Sequence, residues 1–181
     1  HPYIDVSDIK VTITGKGSYT GKVEYTYSIT PRPVTLTSAS DSKTYDGTPL
    51  TKPEVNVGND GFVEGEVSEV KATGSVTAVA EGKVTNTITF TRGEKFKDSN
   101  YAITKTEGTL SITPATLTIT TKSASKTYDG SDLTEPNGYS ITGLVKGETV
   151  NFSITGRQKE VGSSDNTYVI DWDKSTAKQG N

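Results

Sequence analysis

The chain has 181 residues, with 19 Lys and Arg against 22 Asp and Glu, a formal charge of -3, and 30% hydrophobic residues beside 18 Gly and 31 Thr. This mildly acidic, unclustered balance lacks the concentrated basic face that phosphate contacts need, which argues against nucleic acid as a partner. The absence of Cys excludes disulfides, thiolate catalysis and Cys-based zinc sites, and a single His, at position 1, removes most imidazole chemistry.

Apolar and polar residues alternate with period two along most of the chain, the pattern of half-buried strands. In chain order the predicted strands are Val11-Thr-Ile-Thr14, Val23 to Ile29, Val34-Thr-Leu-Thr37, Val84 to Phe90, Thr109 to Ile112 and Leu117-Thr-Ile-Thr120. Thr is β-branched and stiff at χ1, so it suits the solvent face of such strands. Gly58-Asn59-Asp60-Gly61 reads as a turn, where positive φ or a side-chain bond to the backbone is needed. Glu64 to Thr73 has room for a helical turn or two, but Gly65 and the Val content argue against a long helix. Pro31 and Pro114 have no N–H to give a ladder, so each is expected to stop pairing and stiffen a joint. The expected class is therefore all-β, built of small sandwich-like or grasp-like modules with little helix.

The strongest signal is internal repetition. Ser42-Lys-Thr-Tyr45-Asp46-Gly47 recurs as Ser125-Lys-Thr-Tyr128-Asp129-Gly130, an offset of 83 residues that also carries Ser28-Ile-Thr-Pro31 onto Ser111-Ile-Thr-Pro114. Gly61-Phe-Val-Glu-Gly-Glu66 is matched by Gly143-Leu-Val-Lys-Gly-Glu148, and Asn100-Tyr101 is echoed by the final Asn181. The predicted organisation is residues 1–31 as the closing strands of one unit, 32–114 as a complete unit, and 115–181 as a further unit without its last strand or strands. The two end segments are thus complementary halves, and open sheet edges of this kind can pair between molecules.

Within each Tyr-Asp-Gly triplet, Gly is expected in a left-handed conformation and Asp as acceptor of backbone N–H groups in the turn, with the Tyr ring over the end of a core. A ligand or metal site repeated once per unit is the competing reading. The preferred one is a structural motif: Tyr45, Asp46, Gly47, Tyr128, Asp129 and Gly130. Trp172 is the sole Trp, and alternation puts it on one face with Tyr168 and Ile170. A core position is preferred for that face, and stacking of Trp172 and Tyr168 on a ligand is the alternative.

Lys-Thr-Tyr-Asp-Gly, Gly-Leu-Val-Lys-Gly-Glu, Ser-Asn-Tyr-Ala-Ile and Gly-Thr-Leu-Ser-Ile-Thr-Pro together resemble the YDG and MBG repeats of bacterial surface adhesins and haemagglutinin-like proteins. The resemblance runs from Pro31 onward and implies short β-rich modules in tandem within a large exported protein. It supplies no catalytic residues, and neither a cofactor nor a metal is expected: no nucleophile elbow, P-loop, dinucleotide fingerprint or contiguous calcium loop occurs. Lack of Met and of a signal peptide reads as an internal piece of a longer protein, and no stretch approaches the roughly 18 apolar residues of a membrane span. The expected role is a non-catalytic stalk or spacer outside the cell, in contact with adjacent repeats of its parent chain. The alternatives are a module that binds a host glycan or extracellular-matrix protein, and an accessory module of a secreted carbohydrate-active enzyme.

Overall fold

The structure is a computed structural model and describes residues 5–181. It is all-β. The strands are β1 Ser7–Thr14, β2 Lys22–Ile29, β3 Arg32–Ser38, β4 Asp41–Thr44, β5 Leu50–Thr51, β6 Val55–Asn59, β7 Val67–Ala72 and β8 Ser75–Val76. They continue as β9 Val84–Thr85, β10 Ile88–Arg92, β11 Tyr101–Thr106, β12 Thr109–Thr113, β13 Thr118–Thr121, β14 Tyr139–Thr142, β15 Asn151–Ile154 and β16 Tyr168–Asp171. Helix is confined to two three-residue 3-10 turns, Val79–Glu81 and Asp98–Asn100, among the described residues. Pro31 and Pro114 lie between strands, after β2 and after β12.

The chain forms two compact units. One takes the N-terminal segment through Asp41 with Thr51–Gly74 and Thr85–Thr109; the other takes Ser42–Leu50, Ser75–Val84 and Leu110–Asn181. Residues 32–114 thereby contribute to both.

In the first unit, β3 is the centre of a three-stranded sheet, parallel to β11 on one side and antiparallel to β6 on the other. Val34 and Leu36 alternate onto its inner face and are fully buried with Ile88, beside a nearly fully buried Tyr101. Full burial of such side chains contributes about 1.5–3 kcal/mol each. Phe62, Phe90 and Phe96 close this core, and the Phe96 ring stacks on Tyr101 with centroids 5.1 Å apart. The Tyr101 hydroxyl donates to Glu66 Oε2 (2.6 Å) and accepts the Val63 N–H (3.1 Å), so its polar end is satisfied. The hairpin of β1 and β2 pairs in continuous register from Ser7↔Ile29 to Thr14↔Lys22. Most of its apolar side chains stay open to solvent, with Val11, Ile13, Val23, Tyr25 and Tyr27 each 40–64% exposed and only Ile9 and Ile29 half-buried. The Val6 N–H just before β1 bonds Asn100 Oδ1 at 3.0 Å.

The second unit holds a smaller core of Leu50, Val76, Leu110 and Ile112, with Tyr45, Val79 and Val84 packed against it. Here β12 is the central strand between β4 and β9, and β5 pairs with β8. Residues 118–171 add two antiparallel ribbons, β13 with β14 and β15 with β16.

One local expectation changes. Val84 to Phe90 is not one strand: β9 joins β12, β10 joins β7, and the chain changes sheets at Asn86-Thr87. Asn86 has no exposed surface, so the break comes from its side chain turning inward to bond backbone groups. Glu64 to Thr73 makes one turn, Glu66 N–H to Val63 O, and then becomes β7 rather than helix.

Candidate functional site: the two Tyr-Asp-Gly loops

Both loops fold the same way because their ties are local. In the first, Asp46 Oδ1 accepts the Thr48 N–H (2.9 Å), the Thr48 hydroxyl (2.7 Å) and the Lys43 ammonium (2.7 Å), and that ammonium also reaches Thr48 Oγ1. In the second, Asp129 Oδ1 accepts the Ser131 N–H (2.9 Å), the Ser131 hydroxyl (2.9 Å) and the Lys126 ammonium (2.8 Å). Gly47 and Gly130 both sit at φ 77, the left-handed region that residues with a Cβ enter at a cost. The Lys43 ammonium, ahead of the Thr48 groups, pulls the Asp46 carboxyl down to about 2; Lys126 and Ser131 hold Asp129 well below the carboxylate range.

The two tyrosines part company. Tyr45 is half-buried against the second unit's core and donates its hydroxyl to Glu148 Oε1 at 2.7 Å. This bond to a carboxylate, helped by burial, raises the phenol's pKa. Gly47 faces the same segment: a Cβ there would stand 3.2 Å from Val145 Cγ1. Beside this contact, Tyr45, Leu117, Val145, Glu148, Trp172 and Asn181 line a small cavity of about 130 Å³. Tyr128, expected over a core end like Tyr45, is instead 58% exposed.

Trp172 and Tyr168 face different neighbours. The strand β16 stops at Asp171, so strict alternation fails one residue short of Trp172, which turns half-buried to the cavity beside Tyr45. Tyr168 is 41% exposed and meets Phe152 edge-on at 6.4 Å; Phe152 in turn meets Tyr139 at 4.7 Å. Lys43 and Lys126 tie their own loops, each reaching the Asp three residues on. Asp98 pairs with Arg92, and Asn100 holds Asp5 and the Val6 N–H. Among the described residues no three His, Cys, Asp or Glu side chains converge as metal ligands would.

Sequence reasoning passed over two asparagines that organise these units. Asn86 Nδ2 donates to Ala39 O (3.1 Å) and Lys52 O (2.9 Å), its Oδ1 accepts the Gly74 N–H (3.1 Å), and its carbonyl takes the Ser38 hydroxyl (2.6 Å). Asn166 repeats the plan: Nδ2 to Lys122 O (3.1 Å) and Glu135 O (3.3 Å), with the Thr121 hydroxyl on its carbonyl (2.7 Å). The signal was present as Thr73-Gly74 with Asn86-Thr87, echoed by Thr155-Gly156 with Asn166-Thr167. Gly is needed in both places, since a Cβ on Gly74 or Gly156 would come within 2.7 Å of the Asn.

Against known families, residues 113–181 match the YDG domain, the stretch that includes the second Tyr-Asp-Gly loop, Glu148 and Asn166. No curated protein and no solved structure matches the chain.

Proposed function

We propose that the chain is a non-catalytic, load-bearing spacer of a bacterial cell-surface protein, working outside the cell to hold an adhesive tip away from it. The observation that carries this reading is the direction of the strands at the two ends of segment 32–114. The first, β3, runs parallel to β11 over six register pairs, from Tyr101↔Arg32 to Thr106↔Thr37. Next along the chain, β4 and β12 also run the same way, with the Thr109 N–H on Ser40 Oγ and the Tyr45 N–H on Thr113 O. A pull entering at Pro31 and leaving at Pro114 draws the members of each pair in opposite directions along their own axes. Evenly spaced parallel-ladder bonds then share the load instead of opening one by one. Thr-covered strand faces and loops tied by their own side chains are in keeping with such passive work.

Stretching the full chain between handles on its two ends tests the proposal. The expected trace has an abrupt rupture releasing the extended length of the 83 residues 32–114, about 280 Å, less the distance the folded segment already spans. Smooth lengthening at low force, with no rupture of that size, would sink it.

A further inference from the structure

We infer that residues 122–128 and 156–166 form an acceptor for a β-strand, and that its occupant is an extended segment of the type Gly-Thr-Leu-Ser-Ile-Thr-Pro, carried in this chain at 108–114. The inference is independent of the spacer proposal and rests on a residue-by-residue match between two frames.

In the first frame β12 is the strand so seated. It lies between β4 and β9, takes the Asn86 N–H on Gly108 O (2.8 Å), and buries Leu110 and Ile112 against Leu50 and Val76. The second frame keeps the surrounding bonds. Thr155 N–H to Thr167 O (2.7 Å) matches Thr73 N–H to Thr87 O (2.9 Å), and the mutual bridge of Leu133 with Gln158 stands where β5 meets β8. Asn166 clamps Lys122 and Glu135 as Asn86 clamps Ala39 and Lys52. Where β12 lies in the first frame, the second has an open groove of about 410 Å³ lined by Lys126, Tyr128, Leu133 and Asn166. Tyr128 and Val161, at the positions of the core-packed Tyr45 and Val79, are 58% and 89% exposed. One bond of the frame has slipped: the Gly156 N–H goes to Thr167 O, and Asn166 Oδ1 is buried with no hydrogen-bond partner. A strand seated as β12 is covers Tyr128 and Leu133 with its two inward aliphatic side chains and lets the frame tighten onto that oxygen. The occupant's pattern is specific, because alternation puts Leu110 and Ile112 inward and the neighbouring Thr and Ser outward.

The test titrates the full ¹⁵N-labelled chain with a synthetic peptide of residues 105–116, and with the same peptide carrying Leu110→Asp and Ile112→Asp. The expected result is saturable binding, with amide shifts confined to 122–128, 133–135 and 156–166 and the Asn166 side-chain amide among them. The charged peptide is expected to bind about tenfold or more weakly, since its inward carboxylates lose water without a partner. Tyr128→Asp in the protein, an exposed position that leaves the fold intact, weakens the parent peptide similarly. Residues 26–31, Thr-Tyr-Ser-Ile-Thr-Pro, have the same pattern. Self-association that the peptide reverses therefore supports the inference, with those residues of a second copy as donor. No saturable shift in the groove, or equal binding of both peptides, overturns it.

Discussion

Asp46 and Asp129 are carboxylates held ionised by donors no more than three residues away. Each folded pKa is depressed, so each contribution to stability is complete above the usual carboxylate range and fades as pH falls through the folded value. For Asp46 the window runs from about 4 down to about 2. Following the carboxyl carbons by NMR is expected to place the Asp46 midpoint at about 2, with Lys43→Ala moving it up toward 3.8. The tyrosines of the same motif should behave differently. Tyr45→Phe removes the bond to Glu148 and is expected to cost about 1 kcal/mol in denaturant unfolding, whereas Tyr128→Phe changes nothing measurable. The loops were legible in the sequence because every tie lies within six residues. Their different surroundings were not, because Glu148 stands 103 residues from Tyr45 and nothing local selects it.

At the scale of elements, alternation located β1, β2, β3, β12 and β13 to within a few residues. In β3 and β12 it marks a buried and an open face, whereas β1 and β2 carry the same pattern with both faces largely open to solvent. It missed the change of sheet inside Val84 to Phe90 because apolar and polar residues keep alternating across the joint. There Asn86 is a polar residue directed inward, and its hydrogen bonds, not its hydropathy, decide its place. Asn86→Ala strips two carbonyls and one N–H of their partners in a buried setting. The expected loss is about 3 kcal/mol or more by denaturant unfolding. Asn166→Ala is expected to cost about 1 kcal/mol, because the groove beside it admits water to the freed groups.

For the whole molecule, the all-β class followed from a Thr-rich, alternating, Cys-free composition, while the division into compact units did not. Repetition in sequence marks where a pattern recurs, not which neighbouring stretches bury their apolar faces together. Residues 32–114 give Val34 and Leu36 to one core and Leu50 and Leu110 to the other, a choice made by pairing over long separations. The parallel pairing of β3 with β11 has a consequence in time as well. Arg32 meets Tyr101 across 69 residues, so as the chain emerges from its N-terminus β3 can pair early with β6, but its parallel partner β11 exists only after most of the segment is made. Closing so long a loop before any contact rewards it is the slow route to a native sheet. Until then Val34 and Leu36 lie on an open edge, the state in which a growing strand is most readily captured by a neighbouring chain.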